Sequence, residues 1–139
     1  MFKTILCAID GSAATERQLL YVMHFGKTEN AALHVVHAYQ LPAYYAAQEG
    51  YEALIAEYRR VAHHVVEDAL HYLNETGVEA SGDAIEGAPA EVILDEANRI
   101  NADLILIGSR NPTDVHEMFL GSVSQQVLNA TRIPVLVIP

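Results

Sequence analysis

Apolar residues gather in five short runs, at 3–9, 32–39, 78–85, 104–107 and 135–138, and stretches with helical spacing separate them. Short runs rich in Val, Ile and Leu read as strands, and their alternation with helices predicts βαβ units and a parallel sheet. The run 104–107 is almost wholly apolar, as a central strand covered on both faces should be.

The intervening stretches fill in the helices. After the first run, Leu19, Leu20, Val22 and Met23 recur at helical spacing, Ser12 stands where a cap is needed, and Gly26 is expected to weaken the helix end. Residues 40–50 contain Leu41-Pro42 and Tyr44-Tyr45 and read as an aromatic connection, packed on the sheet edge or lying over a ligand. The longest helical pattern covers 51–76, with Leu54, Tyr58, Val61, Val65, Ala69 and Leu73 as its buried stripe and Gly77 as its stop. On its other face His64, Asp68 and His71 share a side, which makes them candidate metal ligands, although a solvated polar face gives the same pattern. Gly87-Ala88-Pro89 opens a third helix, because proline is tolerated in a first turn, and Val92, Ile93, Ala97 and Ile100 face inward. A last helix covers 122–130.

Right-handed crossovers between five such strands predict an α/β three-layer sandwich around a mostly parallel sheet in the order 3-2-1-4-5. In such sheets ligands bind beyond the carboxyl ends of the strands, where strand order reverses. That point brings Asp10, after the first strand, beside Gly108, after the fourth.

The chemistry at that junction is legible in residue types. Gly108-Ser109-Arg110-Asn111-Pro112 and Gly121-Ser122 lie between an apolar strand and a helix that begins at Ser122. Glycines let backbone amides approach an anion, and the free N–H groups and dipole of a helix start favour negative charge. The pattern points to a phosphate, and through it to a nucleotide.

Composition narrows the context. A chain of 139 residues with 51% hydrophobic content suits one domain, 1–139. The only cysteine, Cys7, lies within an apolar run, so a buried thiol and a reducing cytoplasm are expected. There is no apolar stretch long enough to cross a bilayer and no leader pattern, so a soluble, unprocessed chain is expected. With 18 acidic against 8 basic residues the formal net charge is −10, which opposes binding to nucleic acid or an anionic membrane.

Taken together, these residues resemble the universal stress protein family over essentially the whole chain. The resemblance rests on Asp10 after the first strand, His37-Ala38 at the end of the second, Gly108 and Gly121-Ser122 at the family's spacing, and the closing Ile133-Pro134-Val135-Leu136-Val137. It implies an adenine nucleotide alpha hydrolase-like fold. Gly-Ser-Arg-Asn-Pro and Leu41-Pro42-Ala43-Tyr44-Tyr45 look like the nucleotide-binding F and G branch, while Asn111 replaces the family's middle glycine. Asparagine tolerates the left-handed backbone region, so the turn survives, but a side chain enters the space beside the phosphates.

Carried across residue by residue, the resemblance implies ATP, or AMP or ADP, held with Mg²⁺. Asp10 meets the ribose or the metal, the main chain near Ala38 reads the adenine edge, and Gly108, Arg110, Asn111, Gly121, Ser122 and Val123 hold the phosphates. Each position has a plainer role as well: Asp10 can order a turn, Gly108 can relieve crowding, and Gly121-Ser122 can be only a helix start. No general base stands out, so the expected output is binding, with slow ATP hydrolysis at most.

Two competing readings are distinguishable. The A-type branch of the family consists of dimeric interaction proteins without nucleotide, a reading that Asn111 favours and Gly108 with Gly121-Ser122 opposes. A phosphorelay receiver needs an acidic pair after its first strand and a lysine near its last, but here Asp10 stands alone and no lysine follows Lys27. The terminal apolar strand, 135–138, is expected to pair with its copy in a homodimer, which can pair again into a tetramer.

Overall fold

The computed structural model describes residues 1–12, 14–43, 46–108 and 121–139. Strands β1 (Thr4–Ala8), β2 (Ala32–Tyr39), β3 (Ala80–Glu86), β4 (Leu104–Gly108) and β5 (Val135–Ile138) alternate with helices α1 (Ala14–Glu29), α2 (Tyr51–Glu75), α3 (Pro89–Arg99) and α4 (Ser122–Ala130). All strand pairs are parallel and the sheet order is β3-β2-β1-β4-β5, as expected from the alternation.

Two-residue periodicity in the central strands divides the core. Ile5, Cys7, Leu104 and Leu106 pack under α1 and α2 with Leu19, Val22, Ala69 and Leu73. Leu6, Ala8, Ile105 and Ile107 face the other way, against Ala90, Ile93 and Ala97 of α3 and Val127 of α4. Cys7 is buried, and burial pushes its thiol up to about 12, so it stays protonated and packs as a small apolar group.

Two expectations need correcting, and Gly26 has a packing role beyond its place in the last turn of its helix. α1 continues to Glu29, and a Cβ at Gly26 would lie 2.8 Å from both Leu33 and Val78, so this glycine serves close packing. The buried stripe of α2 is rotated along its first half: Tyr58 and Val61 are 42% and 49% exposed, while Ala62 and Val66 are buried. Further along, Val66 packs against Gly82 of β3, where a Cβ would be 2.9 Å from Val66 Cγ1 and the missing side chain admits the helix. Finally, β3 starts at Ala80 because Val78 belongs to the end of α2. Gly77, at φ 85°, turns the chain, its N–H bonds the Asn74 carbonyl, and the N–H of buried Val78 bonds the Leu73 carbonyl.

Candidate functional site

The carboxyl ends of β1, β2 and β4 open into a cavity of about 590 Å³, a size suited to a small organic ligand. Strand register sets it up. Ala8 pairs with Val36 on one side and with Ile107 on the other, so the chain leaves β1 and β4 side by side at Asp10 and Gly108. The Ile9 N–H bonds the Val36 carbonyl at 2.9 Å, and His37 Nδ1–H donates to the Ile9 carbonyl at 2.9 Å, which pins the start of the β1–α1 turn to β2.

Of the residues picked out in the sequence, Asp10, Ala38, Gly108, Gly121, Ser122 and Val123 all line this one cavity. Arg110 and Asn111 lie outside the described residues, as do Tyr44 and Tyr45.

Asp10 is exposed, and its Oδ1 accepts the Ser12 N–H at 2.9 Å, so it orders the turn before α1. Among the described residues its other oxygen has no partner, which leaves it able to meet a ligand or cation. Gly108 has a packing reason: a Cβ there would stand 2.7 Å from Gln18 Nε2. Ser124, one turn into α4, donates its hydroxyl to the Gly108 carbonyl at 2.6 Å and fastens the two loop ends together. Gly121 is the N-cap of α4, without a side-chain cap hydrogen bond. Among the described residues no side chain caps this end, so the first N–H groups of α4 begin at the cavity wall, an arrangement an anion exploits.

Several lining residues escaped the sequence reading. Val36, Ile93, Ile107 and Pro89 form an apolar wall, and Arg17 and Gln18 come from the second turn of α1. Gln18 is 4% exposed and its Oε1 has no hydrogen-bond partner among the described residues, a costly state for a buried amide. A signal existed for Arg17 and Gln18, since a helix that follows the first strand at a switch point turns its first residues toward the ligand.

The candidate metal ligands on α2 do not converge. His64 lies 3.4 Å from Asp68, and His71 instead pairs with Glu75 at 3.1 Å, all on the exposed face. Among the described residues, the group with metal-ligating geometry is His34, Asp83 and Glu96. No helix among the described residues is long and apolar enough to cross a membrane.

A parallel sheet of this order, with helices on both faces and a cavity at its switch point, defines a three-layer α/β protein. Comparison with known proteins gives the family. The model of the universal stress protein family matches residues 1–139, and the chain belongs to that family. A universal stress protein from Thermus aquaticus is 37% identical over 99% of both chains, and the stress response protein NhaX of Bacillus subtilis is 32% identical over 96% of both. Among solved structures, the hypothetical protein MJ0577 superposes with a TM-score of 0.86 at 27% identity, covering 99% of this chain and 96% of its own. A universal stress protein in complex with cAMP gives a TM-score of 0.73 at 20% identity, covering 99% and 96%. The Archaeoglobus fulgidus universal stress protein in complex with dAMP gives 0.68 at 19%, covering 100% and 98%.

Proposed function

We propose that this universal stress protein binds an adenine nucleotide, ATP in the first instance, in the cavity at the ends of β1, β2 and β4, and acts as a nucleotide-dependent regulatory module in the cytoplasm. One observation carries the reading: six residues from four separate segments, Asp10, Ala38, Gly108 and Gly121 to Val123, line one cavity of about 590 Å³. The same fold holds cAMP and dAMP in structural neighbours, which supports an adenine nucleotide.

The chemistry of the walls distributes the ligand. Val36, Ala38, Ile93 and Ile107 offer an apolar slot for a planar base, and the main chain of Ala38 at the end of β2 offers its edge hydrogen bonds. Gly121, Ser122 and Val123 present helix-start amides to phosphate, with Gly108 close behind and Arg110 and Asn111 following in sequence. Asp10 would meet the ribose hydroxyls or hold a Mg²⁺, which would supply positive charge to offset that of the phosphates. Arg17 adds a cation to a wall that otherwise has none among the described residues. No wall residue among those described stands out as a general base, so occupancy is the expected output, with slow hydrolysis at most.

The domain, 1–139, is expected to act as a homodimer joined through β5, with tetramers formed by pairing dimers. The edge strand Val135–Ile138 is short and apolar, and its free side needs a partner strand. Sedimentation at micromolar concentration should show a dimer and Val137→Lys should weaken it, whereas a wild-type monomer would refute the assembly. Nucleotide binding is tested by equilibrium titration with Mg²⁺-ATP, and lack of saturation at millimolar nucleotide would return the chain to the alternative, a dimeric interaction protein without nucleotide.

A further inference from the structure

A second cluster of chemistry lies on the same side of the sheet as α3, below the cavity. Along β2, alternate residues share a face: Val36 and Ala38 line the cavity, and His34, two residues earlier, does not. His34 is buried, and its Nε2 stands 3.0 Å from Glu96 Oε2 of α3 and 3.4 Å from Asp83 Oδ2 of β3. One ligand atom from each of the three residues lies within 4.8 Å of the other two. Its other ring nitrogen, Nδ1, is held by the Ser81 hydroxyl at 2.9 Å, which fixes the ring so that Nε2 faces the two carboxylates.

The two separations from His34 match those between neighbouring ligands of a divalent cation. Bonds of about 2.0–2.2 Å to nitrogen and oxygen ligands, at angles between octahedral and tetrahedral, set neighbouring ligand atoms roughly 3.0–3.5 Å apart. At present a cation of another kind serves the carboxylates: Arg99 Nε and Nη2 donate to Glu96 Oε1 and Oε2 at 2.6 and 2.8 Å, and Nη2 lies 3.8 Å from Asp83. The Arg99 side chain is 58% exposed, so it can swing into water and leave a solvent path to the three ligands.

We propose that His34, Asp83 and Glu96 form a zinc-type divalent metal site, with Arg99 as the internal cation that a metal ion displaces. One imidazole and two carboxylates, without a thiolate, suit Zn²⁺ or Co²⁺, and three protein ligands leave a position for water. An ion there ties α3 to β2 and β3 one turn beyond Ile93, which lines the cavity. The proposal is independent of nucleotide binding.

The test is calorimetric titration of Zn²⁺ into the full chain, with Co²⁺ absorption as a second readout, in a His64→Ala/His71→Ala background that removes the exposed pairs on α2. A single site per chain is expected. Removing the competitor with Arg99→Gln should tighten Zn²⁺ binding about tenfold, and His34→Gln or Glu96→Gln should weaken it at least about tenfold. Asp83→Asn covers the case in which a buried replacement fails to fold, since Asp83 is half-exposed. If Arg99→Gln binds Zn²⁺ no more tightly than the parent, or Asp83→Asn binds it equally well, the cluster is only an ion-pair lock and the proposal fails.

Discussion

The inner wall of the cavity and its rim are built by different means. Val36, Ile93 and Ile107 in the wall are buried and belong to the core between the sheet and α3, so they answer to folding and to ligand at once. Asp10, Arg17 and Ser122 at the rim are exposed, and of these Asp10 is committed only to its own turn. The core therefore fixes the cavity's shape, while the charges at its mouth sit on nearly free surface groups. Changes at the rim should alter ligand preference without harming the fold, while changes in the wall should do both unless they are placed with care.

The largest effect is expected from Ala38→Phe. Ala38 is only partly buried, so a ring there can fill the base slot while the core stays intact. Affinity for ATP and for adenosine should both fall at least about 100-fold, roughly 2.7 kcal/mol, with the folded spectrum retained. Equal loss for both ligands places the base in the slot; loss for ATP alone would put the phosphates there.

Gly108→Val should come next, because its Cβ would lie 2.7 Å from Gln18 Nε2 and displace a buried side chain. A destabilisation of about 1–3 kcal/mol is expected by chemical denaturation. Adding Gln18→Ala should recover much of it, and no recovery would mean that Gly108 has a different function.

Ser122→Asp sharpens the contrast between wall and rim by giving two effects of opposite sign. A negative charge at the start of α4 favours the helix by about 0.3–1 kcal/mol, yet it opposes a phosphate at the same amides. ATP affinity should fall about tenfold while adenosine binding and stability are kept or improved. Parallel loss for ATP and adenosine would contradict a phosphate at this helix start.

The smallest effect concerns the support beneath the wall. Hydrogen bonds from Arg99, then His34, lower the Glu96 carboxyl in the folded chain. A lowered folded value contributes stability above the unfolded value, near 4.3, and loses it as pH falls through the folded one. The stability difference between wild type and Glu96→Gln should therefore shrink from about pH 5 downward, as thermal melts at several pH values will show. A difference that grows on acidification would reverse the sign of this linkage.

Much of the fold was legible because apolar runs and helical spacing repeat cleanly, and α4 starts and ends where its sequence pattern does, at Ser122 and Ala130. Close backbone contacts were not. Gly26 and Gly82 look like weak points in a helix and a strand, yet each marks a place where two elements touch. The site divided along the same line. Glycines, Asp10 and the helix start announced themselves by residue type, whereas Ile93 and Pro89 look like ordinary helix residues until register brings them to the cavity. The His34 cluster was invisible for a further reason: His34 and Glu96 are 62 residues apart along the chain, with Asp83 between them, and only the pairing of β2 with β3 under α3 brings them together.

The central claim is tested most directly by titrating Mg²⁺-ATP into the purified full chain by calorimetry, beside Ala38→Phe. One saturable site per chain, abolished in the variant, is the expected result. Heat that never saturates at millimolar nucleotide, or equal binding by the variant, would contradict it.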